Sequence, residues 1–120
     1  MASYSRSPEE WIGHILEACT DLQDFVSGFD FEAFENDRKT RSAVVRSLEV
    51  MGEASRNLLR DHPEFAAQHP DLPLRQASAM RNALIHGYFV IDWRIVWNAA
   101  TEGAPELHRK LLQLRGSPSE

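Results

Sequence analysis

Arg81-Asn82-Ala83-Leu84-Ile85-His86-Gly87-Tyr88 ends a stretch in which Leu74, Ala77, Met80, Leu84 and Ile85 recur at helical spacing. Pro73 can open this helix and Gly87 can stop it, so the pattern predicts a helix reaching about His86. Its last turns carry a permanently charged guanidinium, an imidazole of a type that titrates near neutral pH and, just past the stop, a phenol. An arginine can neutralise charge growing on a phosphate, and a histidine can move a proton to or from an oxygen.

Outward from this stretch the chain reads as helix throughout. Ser7-Pro8-Glu9-Glu10 is a start signal: Ser7 can cap, Pro8 suits the first turn and Glu10 completes a capping box. Trp11, Ile12, Ile15, Leu16, Cys19, Leu22 and Val26 follow at the helical period, and Gly28 can end the run. Phe29, Phe31 and Phe34 form an aromatic knot with room for one helical turn before Asp37. A long helix is predicted from about Arg38 to Arg60, with Val44, Val45, Leu48, Met51, Ser55, Leu58 and Leu59 inward. Gly52 lies in its middle, where glycine costs about 1 kcal/mol relative to alanine and can permit a close helix crossing.

His62-Pro63 ends the long helix, residues 63–69 can form a short helical turn, and Pro70 and Pro73 bound a loop. Beyond Gly87, Asp92 caps a last helix carrying Ile95, Val96, Ala99, Leu107, Leu111, Leu112 and Leu114. Pro105 should kink it by removing a backbone donor. The expected fold is all-α, an up-down bundle of four to five helices in one domain over residues 1–120, with a frayed tail at about 116–120.

Composition narrows the function classes. The single cysteine, Cys19, excludes an intramolecular disulfide, a thiolate zinc cluster and a CxxC redox site. The first ten residues hold no apolar signal region, and no apolar run approaches the ~20 residues of a membrane span. The expected location is the cytoplasm. His14, His62, His69, His86 and His108 show no metal-ligand spacing, so no metal is expected; His62 and His69 flank a proline loop and should face solvent. A net charge of −5 argues against a generic nucleic-acid coat. The charge is uneven, however: residues 38–60 carry six bases against Glu49 and Glu53, whereas 1–37 carry nine acids against Arg6. A basic surface can lie beside the 81–88 stretch if the 38–60 helix packs there; the alternative is a solvated helix face.

Asn82 and His86, four residues apart, share a helix face. Arg81 and His86, five apart, point roughly 140° away from each other. One chain therefore presents them poorly to a single phosphate unless the helix frays near Gly87 or the arginine folds across. A two-fold dimer, with two copies of the helix end around one cleft, is another solution. Each residue also has a quieter reading. His86 can serve the helix dipole, Arg81 can pair with Glu49 or Glu53, Tyr88 can be an aromatic at the core edge, and Asn82 can be a satisfied interior amide.

The segment Met80–Trp97, with its intact Arg-x4-His-x-Tyr pattern, closely resembles the HepT-like toxins of the HEPN superfamily. So do Asp37-Arg38-Lys39-Thr40, Ala43-Val44, Arg46, Leu48-Glu49 and Gly52-Glu53-Ala54, in order and spacing. The turn at Pro73–Arg75 fits too, although Leu74 stands where relatives often have Trp. The resemblance covers roughly residues 8–115. It implies an all-helical, dimeric ribonuclease whose Arg81 and His86 meet at the dimer interface and cleave RNA without a metal or other cofactor. It also implies a partner, an MntA-like minimal nucleotidyltransferase antitoxin that silences the toxin by transferring AMP from ATP onto Tyr88.

The expected reaction is transesterification in single-stranded or loop RNA, with Arg81 and His86 catalytic and Asn82 in support, orienting His86 or the phosphate. The alternative is a non-catalytic helical partner or regulatory subunit of a nucleotidyltransferase.

Overall fold

The computed structural model describes residues 6–87 and 91–116. Among them every regular element is helical: α1 (Pro8–Val26), α2 (Phe31–Glu35), α3 (Arg38–Asp61), α4 (Pro63–Gln68), α5 (Leu74–His86), α6 (Trp93–Asn98), a π turn (Ala99–Gly103) and α7 (Ala104–Gly116). The run from α6 through α7 is continuous, so four long helices make the expected bundle and α2 and α4 are short connectors. Residues 117–120, most of the tail expected to fray, lie outside the described residues.

Local chemistry accounts for the helix starts. Ser7 forms the full capping box: its hydroxyl accepts from the Glu10 N–H, and its own N–H donates to Glu10 Oε1 at 2.9 Å. Asp30, Asp37 and Asp92 cap α2, α3 and α6 through their side-chain oxygens. At the end of α1, Gly28 takes φ +82°, a left-handed conformation that side chains disfavour.

Helix α3 is the spine. It packs along α1 on one side and α5 on the other, while α7 leans on α1. Ile15, Leu22, Val44, Leu48, Leu58, Leu107 and Leu111 are almost fully buried between them. Phe34 of α2 is fully buried and lies between Trp93 and Trp97, with ring centroids 6.0 and 5.1 Å away. Arg41 stacks on Trp93 at 4.8 Å. The aromatic knot thus reaches across the chain and pins α6 to α2 and the start of α3, just beyond the 88–90 segment.

Three apolar expectations are corrected. Ile85, Ile95 and Leu112 are 38%, 53% and 48% exposed, while their neighbours Leu84, Val96 and Leu111 are buried. Successive helical residues diverge by roughly 100°, so one member of each adjacent pair turns away from the neighbouring helix. His62 and His69 are half-buried rather than solvent-facing. The His62 Nε2–H donates to the Arg6 carbonyl at 2.6 Å, and His69 packs on Phe65 at 4.6 Å.

The disruption expected at Pro105 takes the form of a π turn. Proline offers no N–H and crowds the carbonyl four residues back. Just upstream, the Ala104 N–H reaches Ala99 O, five residues back, and widens the helix.

Candidate active site on the α3–α5 crossing

The close crossing expected at Gly52 is present. A Cβ added there would overlap Arg81 Cβ and lie 2.6 Å from the Ala77 carbonyl oxygen. Only a residue without a side chain lets α5 approach α3 this far. The stem of Arg81 therefore lies directly over the α3 backbone.

From that point the guanidinium meets Glu53, the next residue of α3. Nε lies 3.1 Å from Glu53 Oε1. Neither atom makes a well-directed hydrogen bond, so the contact is Coulombic. Glu53 Oε2 lies 3.8 Å from Arg56 Nη1, and Arg81 Nη1 donates to Asn82 Oδ1 at 2.8 Å. The Arg81 side chain is 23% exposed and that of Glu53 43%, so the pair adds only about 0–1 kcal/mol to stability. The sequence left Glu49 and Glu53 open as partners of Arg81; the structure selects Glu53.

Arg81 faces a groove of about 270 Å³. Arg46, Glu49 and Glu53 of α3 form its floor, Trp11 and His14 of α1 one wall, and Arg81 and Ile85 of α5 the other. Arg46 borders the same groove as Ile85, while Gly52 meets Ala77 and Arg81, so α5 runs antiparallel to α3. The base-rich start of α3 consequently extends toward the His86 end of α5. The groove itself is mixed in charge, with Glu49 and Glu53 facing Arg46 and Arg81.

His86 is the last residue of α5 and is exposed. There it lies beside the unpaired carbonyls of the helix end, a favourable place for positive charge. The helix does not unwind before it. Gly87 caps α5 with its N–H on Ala83 O at 2.7 Å. Gly87 has φ −115°, so no left-handed turn requires a glycine there. The reason is proximity: a Cβ would lie 2.9 Å from the Ala83 carbonyl oxygen. With α5 helical through both residues, Arg81 and His86 keep their divergence of roughly 140°. The structure thus does not bring them together within one chain.

Asn82 is exposed, which removes the interior-amide reading, and its Oδ1 serves Arg81 rather than His86. Tyr88 lies outside the described residues.

One feature beside the first half of α5 was missed from the sequence. An apolar cleft of about 480 Å³ separates α5 from α6–α7, lined by Met51, Ala77, Met80, Ile95 and Leu107 among others. The signal for it was the adjacent apolar pair Ile95-Val96, one member of which had to point away from the core.

Residues 15–114 match the protein family described as ribonuclease HepT-like. The chain belongs to this HepT-like ribonuclease family. A protein of Thermococcus cleftensis named "Probable ribonuclease HepT" is 40% identical over 110 residues, 92% of this chain and 97% of that relative. Another, named "Putative RNase", from Caldanaerobacter subterraneus subsp. tengcongensis, is 37% identical over 109 residues, 91% of this chain and 95% of the relative. A third, also named "Putative RNase", from Methanocaldococcus jannaschii, is 34% identical over 106 residues, 88% and 94% of the two chains. No solved structure matches. The family resemblance read from the sequence is therefore confirmed, and the HepT-like match spans both Arg81 and His86. Among the described residues no helix is long and apolar enough to cross a membrane.

Proposed function

We propose that this HepT-like chain is a metal-independent endoribonuclease, the toxin of a type VII toxin–antitoxin pair. The observation that carries the reading is the state of α5: Arg81 is held at the α3 crossing, and His86 stands exposed at the end of the same helix. In the reaction, one His86 takes the proton of a ribose 2′-OH. The 2′-oxygen attacks the adjacent phosphorus, the bond from phosphorus to the 5′-oxygen breaks, and a second His86 gives that oxygen a proton. The products are a 2′,3′-cyclic phosphate and a 5′-hydroxyl. Arg81 offsets the charge that grows on the phosphate oxygens.

A two-fold dimer with the α5 ends near its axis supplies both histidines and compensates for their divergence from Arg81. Asn82 supports the site through its hydrogen bond to Arg81. Single-stranded RNA is the substrate class, because there the 2′-OH can rotate in line with its phosphate. An MntA-like nucleotidyltransferase is the partner, and AMP transferred to Tyr88 is the off switch. Its added phosphate opposes an RNA phosphate approaching Arg81.

The test is cleavage of a single-stranded RNA by purified protein in excess EDTA, with mass analysis of the new ends. Cyclic phosphate ends, lost in His86→Ala, support the reading. Ends bearing a 3′-hydroxyl, or activity abolished by the chelator, overturn it. Incubation with the nucleotidyltransferase and ATP should add one AMP mass to the wild type and none to Tyr88→Phe.

A second reading, a non-catalytic partner of the nucleotidyltransferase, draws on the carboxylate of Glu53 facing Arg81 and on the net charge of −5. A purified protein that binds the nucleotidyltransferase but never cleaves RNA would favour it.

A further inference from the structure

Arg81 is constrained at three points along its length. Gly52 sets where its Cβ lies, Glu53 faces Nε, and Asn82 accepts from Nη1. A guanidinium offers a phosphate two paired edges, one made by Nε with an Nη group and the other by the two Nη groups. Glu53 stands on the Nε side. The edge formed by the two Nη groups is the one left for a ligand, since Nη1 carries a second proton beyond the one given to Asn82.

We infer that Glu53 is a positioning residue for catalysis, which holds Arg81 by its Nε side so that its other edge meets the phosphate of the transition state. The inference rests on the proposed ribonuclease reading. Glu53 is itself steadied by Arg56 on the same face of α3, so the carboxylate is held from one side and holds from the other. A pair this exposed adds little to the fold, which leaves orientation as its main effect. The arrangement has an electrostatic consequence. The Glu53 carboxylate lies beside the place an RNA phosphate would occupy and repels it in the ground state. Orientation and repulsion act on different kinetic quantities, and this separates a positioning residue from a brake or a structural residue.

The experiment is steady-state cleavage by Glu53→Gln, which keeps the shape and removes the charge. We expect kcat to fall about three- to fivefold, with KM unchanged or lower. Affinity for the same RNA carrying a 2′-deoxy sugar at the cleavage site should be unchanged or tighter, and Tm should stay close to that of the wild type. A raised kcat would make Glu53 a brake, and an unchanged kcat would deny it a role; either overturns the inference. A fall in kcat accompanied by a large loss of Tm would make it a structural residue, which also overturns it.

The second variant is Arg81→Lys, which has no paired edges. If Glu53 acts through Arg81, adding Glu53→Gln to Arg81→Lys causes no further loss. A further loss of about three- to fivefold overturns the inference. Arg81→Lys with wild-type kcat would overturn the role of the arginine and this inference with it. A silent Glu53→Gln beside a crippled Arg81→Lys overturns the inference alone.

Discussion

Arg81 and His86 lie five residues apart on one helix, and the fold treats them in opposite ways. Arg81 is placed by contacts from another helix: a glycine beneath its stem and a carboxylate beside its Nε. His86 stands at the end of its own helix and is exposed there. One of the two proposed catalytic side chains is built into the single chain, and the other is presented outward. This division is what a site completed by a second copy would need, because the exposed group is the one that can be shared across an axis.

The largest expected effect belongs to His86→Ala. Loss of the proposed general acid–base group should cut RNA cleavage by about 10²–10⁴-fold. Because His86 is exposed, Tm should hardly move. A large fall in Tm would show that the histidine end is as deeply built as the arginine end, and would end the contrast.

The second concerns the arginine end. Gly52→Ala puts a methyl group against Arg81 Cβ and the Ala77 carbonyl, so α5 must shift away from α3. Overpacking of this kind costs about 1–3 kcal/mol, or roughly 4–12 °C in Tm for a domain of this size. Cleavage should fall with it at temperatures where the variant is still folded, since Arg81 rides on the displaced segment. Thermal melts and cleavage assays on one preparation check both; an unchanged Tm would mean that the crossing has slack.

The third tests the sharing of His86. An excess of the inactive His86→Ala chain should suppress cleavage by the wild-type chain, because a mixed dimer holds only one of the two histidines that the proposed reaction uses. Light scattering on the same samples should give the mass of a dimer. A monomer that still cleaves RNA would place the complete site in one chain.

The smallest effect probes the interior beneath the arginine end. Cys19 Sγ lies 3.8 Å from Met51 Sδ, one residue before Gly52, and burial pushes its thiol from the ordinary 9.0 up to about 12. In the unfolded chain the thiol ionises near its ordinary value, whereas the folded protein keeps the proton. The stability contributed by the neutral buried thiol is full below about pH 9 and is lost as pH rises toward 12. The Tm difference between wild type and Cys19→Ala should therefore shrink as pH rises from about 9 toward 12. Iodoacetamide should leave native Cys19 unmodified at pH 8. Rapid alkylation would mean that the α1–α3 interior opens readily beneath the crossing.

Much of this molecule was legible because its cues are local. The Ser7 capping box, the Asp92 cap and the stop after His86 each involve residues within four positions of one another. The sequence cannot rank two equivalent local choices that a distant element settles. Leu84 and Ile85 are equally apolar, yet only Leu84 is buried. Glu49 and Glu53 both lie on the face of α3 that borders the groove, yet Glu53 takes the arginine. Pro105 announced a disturbance but not its form, since whether a helix kinks or widens into a π turn depends on what packs around it.

By itself the sequence determined the helices, their caps, the glycine that allows the crossing, and the angular separation of Arg81 from His86. All of these follow from the fixed rise and turn of a helix and from hydrogen bonds between near neighbours. The tertiary structure alone decided that Glu53 faces the guanidinium, that Asn82 turns to Arg81, that Trp93 and Trp97 enclose Phe34, and that a cleft opens between α5 and α6–α7. Those outcomes depend on the distance and rotation between helices. Side-chain packing over the whole core sets both, and no short stretch of chain contains them.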